Sequence, residues 1–346
     1  MSDDQPTTRR HHRQTLLECW GDDGQSRVGE ATALIVGVGA LGCGSAELLA
    51  RAGVGKLVII DRDIVERTNL QRQTLYAESD LGRPKVSAAV DRLHAIDAGI
   101  EVEPIASHLD SDLAAELVPG VDLILDGTDN FETRYLLNDA AVAYTKPFVY
   151  GGAVATRGAV MPVLPGRGPC LRCVAAMLPA PGATCDTAGV LGPAVGWVAA
   201  RQAAFALRLI VEGADRLPIR LESFDAWEGV GRAIDMASAR DPACRCCVGR
   251  MFDWLDGSAG AEALALCGRN SVQVMARAGR AYVLDTVAQR LRPFGRVESA
   301  DGLVRAVVPT DRGEIGLSVF ADGRAIIEGT SDPAVAQAVY DRYIGR

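Results

Sequence analysis

A strand, a glycine-rich turn, a helix and a second strand follow one another near the start of the chain, and this order constrains the fold more than any other feature. The segment ALIVGV is short, apolar and β-branched, which is typical of a buried parallel strand. Gly37, Gly39 and Gly42 complete a G-x-G-x-x-G turn, and the helical pattern SAELLARA follows. The next strand, LVIID, ends in Asp61, about 20 residues beyond the turn. The sequence therefore predicts a dinucleotide-type βαβ unit.

The same alternation of strands and helices continues along the chain and predicts the fold class. Helical and strand patterns alternate near Lys85–Ile96, Glu101–Ile105, Asp110–Leu117 and Val121–Asp126. Segment 148–165 then alternates like antiparallel strands and precedes an apolar helix, Val195–Val211. We expect an α/β domain with a Rossmann-like, mostly parallel sheet, helices on both faces and an antiparallel continuation.

Residues 256–346 have the pattern of a separate, small α/β module. Asp285–Leu291 and Pro333–Tyr343 show helical periodicity, and VRAVV, EIGLSVF and RAIIE are strand-like, with Asp322-Gly323 as a hairpin turn. We therefore predict three regions: a flexible N-terminus at 1–10, a main domain at 11–250 that includes the cysteine pairs, and a module of unknown role at 256–346.

Charge and cysteine content exclude several classes of protein. The chain has 36 Lys and Arg against 44 Asp and Glu, a net charge of −8, which disfavours bulk binding to nucleic acid or to anionic membranes. Its first ten residues are polar, and no apolar run reaches the roughly 18 residues of a membrane span, so we expect a cytoplasmic protein. In a reducing compartment, nine cysteines indicate a metal site or a nucleophile rather than disulfides.

Cationic side chains that follow Asp61 in the sequence distinguish a triphosphate ligand from a dinucleotide. The glycine turn alone fits a ligand-free turn, NAD or FAD as well as ATP. Arg72 and Lys85 supply the charges that the outer oxygens of a triphosphate need, whereas a dinucleotide pyrophosphate is usually bound by backbone amides. Asp129 follows a buried strand at its carboxyl end, where ligands bind in open α/β sheets, and a carboxylate there suits Mg²⁺.

Two C-x-x-C pairs predict a closed zinc site. Cys170 and Cys173 form the first pair, and Cys244 and Cys247 form the second; two thiolates at this spacing chelate one ion. A redox C-x-x-C is the alternative, but neither pair opens a helix after a βαβ strand. Cys246 could replace a ligand, although its spacing from Cys244 is the poorer match.

Over about residues 9–250 the chain resembles the ThiF/MoeB/HesA family, the bacterial relatives of ubiquitin-activating E1 enzymes. The matching segments, in the family's order, are Arg13-Gln14 with Gly24-Gln25, the glycine-turn unit with Asp61 and Asp63, NLQRQ, GRPKV, LDGTDNFETRYLLND, GPCLRC, CDTAGVLGP and DPACRCC. The resemblance implies a homodimeric adenylyltransferase that uses ATP and Mg²⁺ to adenylate the C-terminal glycine of a ubiquitin-like sulfur carrier of the ThiS or MoaD type ending in Gly-Gly. Thiamine or molybdopterin synthesis would use the product, and a sulfurtransferase or cysteine desulfurase would be a further partner.

The resemblance also implies roles for individual residues. Gly39 would lie against the nucleotide and Asp61 would hold its ribose, while Arg13 would act from the partner subunit. Phosphate and Mg²⁺ contacts, or other nucleotide-binding roles, would fall to Asn69, Gln71, Arg72, Lys85, Asp129 and Asn130. Arg72, Asp129 and Arg13 would be catalytic.

Cys185 matches the family cysteine linked to carrier capture or sulfur transfer. Our hypothesis is that it forms a thioester or acyl-disulfide with the carrier; the alternative is a small packing residue. We expect Cys43, Cys19 and Cys267 to be packing residues. Beyond Met251 only Cys267 remains, too early for the family's rhodanese extension, so the C-terminal module either contacts the carrier or is a stabilising cap or dimer accessory.

Three other functions stay open on the sequence alone. An E1-like activator for protein conjugation or tRNA thiolation would use the same residues. A non-catalytic E1-like scaffold would bind a partner through its zinc lobe, but it would have no use for the four residues Arg13, Arg72, Lys85 and Asp129. A dinucleotide oxidoreductase is disfavoured by the same cations.

Overall fold

The computed structural model describes residues 10–175, 189–258, 271–274, 282–300, 302–310, 313–321, 323–330 and 332–344. Two compact units make up the chain, Met1–Gly260 and Ala261–Arg346.

The first unit contains helices on both sides of one large sheet. Its helices are α1 (His12–Thr15), α2 (Gly21–Glu30), α3 (Ala40–Ala52), α4 (Lys85–Ile96), α5 (Ser111–Leu117), α6 (Phe131–Ala143) and α7 (Gly192–Glu212). Its strands are β1 (Thr32–Val36), β2 (Lys56–Ile60), β3 (Glu101–Ile105), β4 (Leu123–Asp126), β5 (Phe148–Val154), β6 (Arg157–Val163), β7 (Arg220–Asp225) and β8 (Val230–Asp235).

The eight strands lie in the order β3-β2-β1-β4-β5-β6-β7-β8. The first five are parallel, and β5 to β8 pair antiparallel, which confirms the predicted parallel sheet with an antiparallel continuation. Because the chain leaves β1 toward β2 on one side and later returns as β4 on the other, a crevice opens at the carboxyl ends of β1 and β4. This crevice is where an open α/β sheet binds ligands.

Alternate residues of the central strands enter two different cores. In β1, Leu34 and Val36 pack with α5 and α6, whereas Ala33 and Ile35 pack with α3 and α4 on the other face. The mostly apolar sequence of β1 follows from this burial on both faces. Among the described residues, α7 is the one helix with the length and apolar composition that a membrane span needs. In its most apolar stretch, 56% of the residues are buried inside this unit.

Helix α3 begins earlier than the predicted SAELLARA segment, directly after the turn. Gly39 is its N-cap, so the five residues from Ala40 to Gly44 are already helical before Ser45. Gly37 ends β1 because its φ of +84° turns the chain out of the strand. The glycine turn is therefore shorter than the sequence pattern suggests, and the helix N-terminus lies against it.

The second unit is the predicted small α/β module. It contains β9 (Ser271–Val274), β10 (Val297–Ala300), β11 (Leu303–Thr310), β12 (Gly313–Phe320), β13 (Ala325–Glu328) and helices α8 (Leu284–Leu291) and α9 (Pro333–Tyr343). The strands form an antiparallel sheet in the order β10-β11-β12-β13-β9. Apolar residues of one sheet face pack with α8 and α9. Asp332 caps α9, as predicted, by accepting from the Ala334 N–H; Asp322 of the predicted hairpin turn lies outside the described residues.

Candidate active site and metal centre

The glycine turn after β1 packs backbone to backbone against the turn after β4. A Cβ atom on Gly37 would lie 2.6 Å from the Gly127 carbonyl oxygen, and one on Gly42 would lie 1.9 Å from the Gly37 oxygen. No side chain fits at either position. Gly39 differs, because a Cβ there would have only the Gln73 amide nitrogen, 3.8 Å away, within 4 Å. The helix N-terminus at Gly39 therefore faces open space, as an anion-binding turn requires.

Asp61 lies beside this turn, at the carboxyl end of β2. Its carboxylate accepts hydrogen bonds from the backbone N–H groups of Val38 and Asp63, both at 2.8 Å. Burial raises the pKa of Asp61, and the nearby Lys85 ammonium opposes that rise. Two backbone donors thus fix the carboxylate next to the glycine turn, at the position where the family resemblance expects a ribose.

Lys85 opens α4 and is almost fully buried, with only 3% of its side chain exposed. Its ammonium lies 3.2 Å from a carboxylate oxygen of Asp63. Because Asp63 N–H also binds Asp61, these three residues form one connected group at the end of β2. A buried ammonium that is held in place by a carboxylate is suited to bind phosphate oxygens.

The NLQRQ segment lies next to the glycine turn. Asn69 is buried and accepts from the Glu66 N–H at 3.2 Å; Arg72 is half-buried and donates to the Thr68 carbonyl at 3.0 Å; Gln71 is exposed. Sequence reasoning missed Gln73, which is 3% exposed and directs its amide nitrogen toward Gly39. Its carbonyl oxygen is buried and has no hydrogen-bond partner among the residues that the structure describes. Its position in NLQRQ was the available signal.

The segment after β4 forms the other wall of the crevice. Asp126 is fully buried and accepts from the N–H and hydroxyl of Thr128 at 2.9 and 2.6 Å. Asp129 is exposed, and its carboxylate oxygens are of the type that Mg²⁺ prefers. Asn130 caps α6 by accepting from the Thr133 N–H at 2.9 Å, a structural role additional to the predicted nucleotide contact.

Arg13 lies away from its own chain's glycine turn. The neighbouring Gln14 donates to the Ala52 carbonyl at the C-terminal end of α3, whereas Gly39 is at the N-terminal end. A helix of 13 residues is about 20 Å long, so α1 and the glycine turn are separated by roughly that distance. The exposed Arg13 therefore does not join the other predicted nucleotide residues within one chain.

The two C-x-x-C pairs come together in space. The sulfur atoms of Cys170 and Cys173 are 3.9 Å apart, Cys170 and Cys244 are 3.7 Å apart, and Cys173 and Cys247 are 3.4 Å apart. All four lie within 4.8 Å of one another. Four thiolates at about 2.3 Å from a tetrahedral zinc ion would be about 3.8 Å apart, so the cluster has the size and chemistry of a zinc site.

Residues of α6 hold the two cysteine loops in place. The Asn138 carbonyl oxygen accepts from the Leu171 N–H at 2.7 Å, and its amide donates to the Cys246 sulfur at 3.3 Å. Asp139 accepts from Arg172 at 3.3 Å and from the Trp254 N–H at 3.1 Å. Cys246 is thus a buried hydrogen-bond partner of Asn138 and is not one of the four clustered cysteines.

Comparison with known proteins identifies the family. The model of the ThiF family matches residues 11–246, more than half of the chain. The chain belongs to the ThiF family. It is 41% identical over 340 residues to the sulfur carrier protein ThiS adenylyltransferase of Bacillus subtilis, covering 98% of this chain and 100% of that protein. It is also 35% identical over 240 residues to the SAMP-activating enzyme E1 of Haloferax volcanii, covering 69% and 88%.

Solved structures show the same fold as this ThiF-family chain. The structure of E. coli MccB with ATP superimposes with a TM-score of 0.57 at 24% identity, covering 65% of this chain and 69% of that one. At this identity the likeness supports the fold alone.

The remaining cysteines of the ThiF-family chain divide into three groups. Cys185 and Cys267 lie outside the described residues, so the covalent role of Cys185 stays a prediction. Cys43 is fully buried and donates to the Val38 carbonyl, in agreement with a packing role, and burial raises its pKa to about 12. The packing role expected for Cys19 is wrong, because Cys19 is exposed beyond the end of α1.

Proposed function

We propose that this chain is an adenylyltransferase that uses ATP to activate the C-terminal glycine of a ubiquitin-like sulfur carrier of the ThiS type. The supporting observation is the convergence of the glycine turn, Asp61, Lys85, NLQRQ and the Asp129 segment on one crevice of a ThiF-family fold. Similarity to a ThiS adenylyltransferase over nearly the whole chain favours this carrier class. Synthesis of thiamine or molybdopterin in the cytoplasm, with a sulfur donor protein as a second partner, fits such a product.

The reaction follows from the charges in the crevice. A carrier carboxylate, already ionised at neutral pH, attacks the α-phosphorus of ATP and expels pyrophosphate, forming a carrier acyl-adenylate. No protein base is required. Lys85 and Arg72 neutralise the charge that develops on the phosphate oxygens, and the backbone N–H groups at Gly39 hold the phosphate in place. Mg²⁺ bound through Asp129 would supply further neutralising charge at the phosphates.

ATP–pyrophosphate exchange with a carrier ending in Gly-Gly tests this proposal. We expect exchange only when the carrier is present, and we expect Lys85→Met to lower the rate by about 10²- to 10³-fold, the usual cost of losing one preorganised charged donor. Lys56→Met is the matched control: Lys56 also pairs with carboxylates, Glu101 and Glu103, but at the amino end of β2. No exchange with an intact carrier, or binding of NAD instead of ATP, would refute the proposal.

We further propose that the four clustered cysteines bind one structural Zn²⁺. The cluster supports this because four thiolates leave no open coordination position for substrate. When bound, the ion would fix the loops that contain the two C-x-x-C pairs. Metal analysis of the purified protein should give about one zinc per chain, and Cys244→Ser should abolish retention. Full retention by that variant would contradict the assignment.

We propose that the chain works as a homodimer in which Arg13 reaches the partner's nucleotide. The separation of α1 from its own glycine turn by about 20 Å supports action between subunits. Arg13→Ala chains and Lys85→Met chains should each be inactive alone, and mixing them in equal amounts should restore about a quarter of the wild-type exchange rate. Half of the dimers are then mixed, and each mixed dimer contains one intact site out of two. No recovery on subunit exchange would indicate action within one chain.

A broader E1-like activity is a second candidate, because the chain also resembles a SAMP-activating enzyme. Exchange assays with carriers of both types, at matched concentrations, decide between them by their kcat/KM values. The match to that relative covers 69% of this chain, whereas the match to the ThiS adenylyltransferase covers 98% and therefore includes the C-terminal module. We therefore propose that the module contacts the carrier; deletion of 256–346 should weaken carrier binding, and unchanged affinity in a folded protein would refute this.

A further inference from the structure

Arg134 on α6 is a buried cation that joins three segments of the chain. Its Nε donates to a carboxylate oxygen of Asp126 at 2.9 Å, and its Nη2 donates to the carbonyl oxygens of Thr128 at 2.7 Å and Gly151 at 3.1 Å. These acceptors belong to the end of β4, the loop that follows it, and β5. One guanidinium therefore fixes the loop after β4 to the two strands beside it.

The surroundings of Arg134 hold its plane in one orientation. Its guanidinium carbon lies 5.3 Å from the ring centroids of both Phe131 and Tyr150. Burial by itself would lower the pKa of Arg134, but the Asp126 carboxylate raises it, so the side chain stays charged. The planar guanidinium group, packed near the Phe131 and Tyr150 rings, donates hydrogen bonds in fixed directions that a lysine ammonium cannot reproduce.

The anchored loop contains the predicted magnesium ligand. Thr128, whose carbonyl accepts from Arg134, immediately precedes Asp129, and its N–H and hydroxyl both donate to Asp126. The backbone just before Asp129 is thus fixed, whereas the Asp129 side chain itself is exposed. The anchor therefore fixes the backbone from which the Asp129 side chain projects.

We propose that Arg134 is a positioning residue that sets the Asp129 carboxylate for the metal–nucleotide complex, an inference that rests on the proposed adenylation. Its Nε and Nη2 groups donate to protein acceptors, so this role is exerted through the loop. Loss of the Arg134 guanidinium should therefore weaken the effect of Mg²⁺ on nucleotide binding more than it weakens the binding of nucleotide without metal.

The test compares Arg134→Lys with wild type by nucleotide binding, using a fluorescent ATP analogue. Without metal, in EDTA, we expect the Kd to change by less than about threefold. In a magnesium titration we expect the concentration that gives half-maximal tightening to rise about tenfold or more, the effect of misplacing one charge-assisted contact. Arg201→Lys is the matched control, because Arg201 also forms a bidentate pair, with Glu222, and stacks on Phe205.

A double-mutant cycle separates positioning from a general loss of structure. Asp129→Asn should raise the magnesium requirement by itself, and adding Arg134→Lys should then have little further effect, because both changes remove the same function. Additive effects, or a wild-type magnesium requirement in a folded Arg134→Lys protein, would overturn the proposal. Circular dichroism and thermal unfolding establish that the variant is folded.

A second variant keeps the test decisive if Arg134→Lys does not fold. Thr128→Val removes the hydroxyl bond to Asp126 but leaves Arg134 in place, so it loosens the same loop from the other side. We expect a smaller rise in the magnesium requirement, about threefold to tenfold, and no rise would count against the proposal. Because these measurements use binding, they remain informative if the wild-type protein shows no carrier-dependent exchange, a result that would refute the proposed function instead.

Discussion

Gly39→Ala changes the candidate phosphate site while leaving its supporting structure in place. Alone among the three glycines of the turn, Gly39 has room for a methyl group, since its nearest neighbour would be the Gln73 amide nitrogen at 3.8 Å. Its φ of −83° is one that an alanine can adopt, but its ψ of −142° lies outside the regions that an alanine favours. We therefore expect the free energy of unfolding to fall by about 1–3 kcal/mol, the cost of holding a non-glycine residue in a sparsely populated backbone conformation.

The effect on nucleotide binding is separate from the effect on stability, because affinity is measured on the folded protein. A methyl group on Gly39 would project into the open space beside the helix N-terminus, where the phosphate would lie, and would displace the phosphate from the backbone N–H groups. Loss of one hydrogen bond to a charged group costs about 1.5–3 kcal/mol. At 1.4 kcal/mol for each factor of ten, this predicts ATP binding about 10- to 100-fold weaker than wild type.

Isothermal calorimetry with a non-hydrolysable ATP analogue and thermal unfolding measure the two effects separately. Gly29→Ala is the control: Gly29 is in α2, and a Cβ there would meet nothing within 4 Å. This control should gain roughly 0.5–1 kcal/mol of stability, as expected for alanine in a helix, with unchanged affinity. If Gly39→Ala bound the analogue as tightly as wild type, the turn would not contact phosphate, and our reasoning about the site would be wrong.

Two further substitutions and one chemical modification test other parts of the structure. Gly127→Ala places a Cβ 2.0 Å from a backbone oxygen of the glycine turn, so we expect urea unfolding to show a loss of about 1–3 kcal/mol, and an unchanged midpoint would contradict the packing. Asn138→Ala removes the contacts to both cysteine loops and should weaken zinc retention about 10- to 100-fold against a chelator; retention equal to wild type would show that those contacts are unimportant for the metal. Iodoacetamide at pH 8 should modify the exposed Cys19 but not the buried Cys43 in the native protein, as measured by mass spectrometry, and equal rates would contradict the burial.

Much of the fold could be predicted from the sequence because its elements have strong periodicity and clear ends. Lys85–Ile96 and Pro333–Tyr343 have the bounds that the patterns indicate. The strands β7 and β8 were not predicted, because neither is an apolar run: every residue of Val230–Asp235 is exposed, so no buried face produces a pattern. A strand can be recognised in a sequence when burial of one or both faces selects apolar residues, and the edge strand β8 has no such buried face.

The candidate site was predictable where a residue type identifies its chemistry. Glycines that allow close backbone approach and cysteines that bind a metal can be recognised by type and spacing. Arg134 could not be recognised in this way, because an arginine in a helical segment is usually a solvated residue. Its role depends on acceptors in β4 and β5, which only the packed sheet brings together.

One face of α6 connects the nucleotide crevice with the cysteine cluster. Asn130, Arg134 and Asn138 are four residues apart, so they follow one another along the same side of the helix. The first caps the helix beside Asp129, the second anchors that loop, and the third binds both cysteine loops. Because a helix is stiff over about 12 Å, the span of these eight residues, the cysteine loops brace the helix that positions the active-site loop. A metal bound at the cysteine cluster would then support the proposed active site through α6, and one segment, LDGTDNFETRYLLND, contains residues for both.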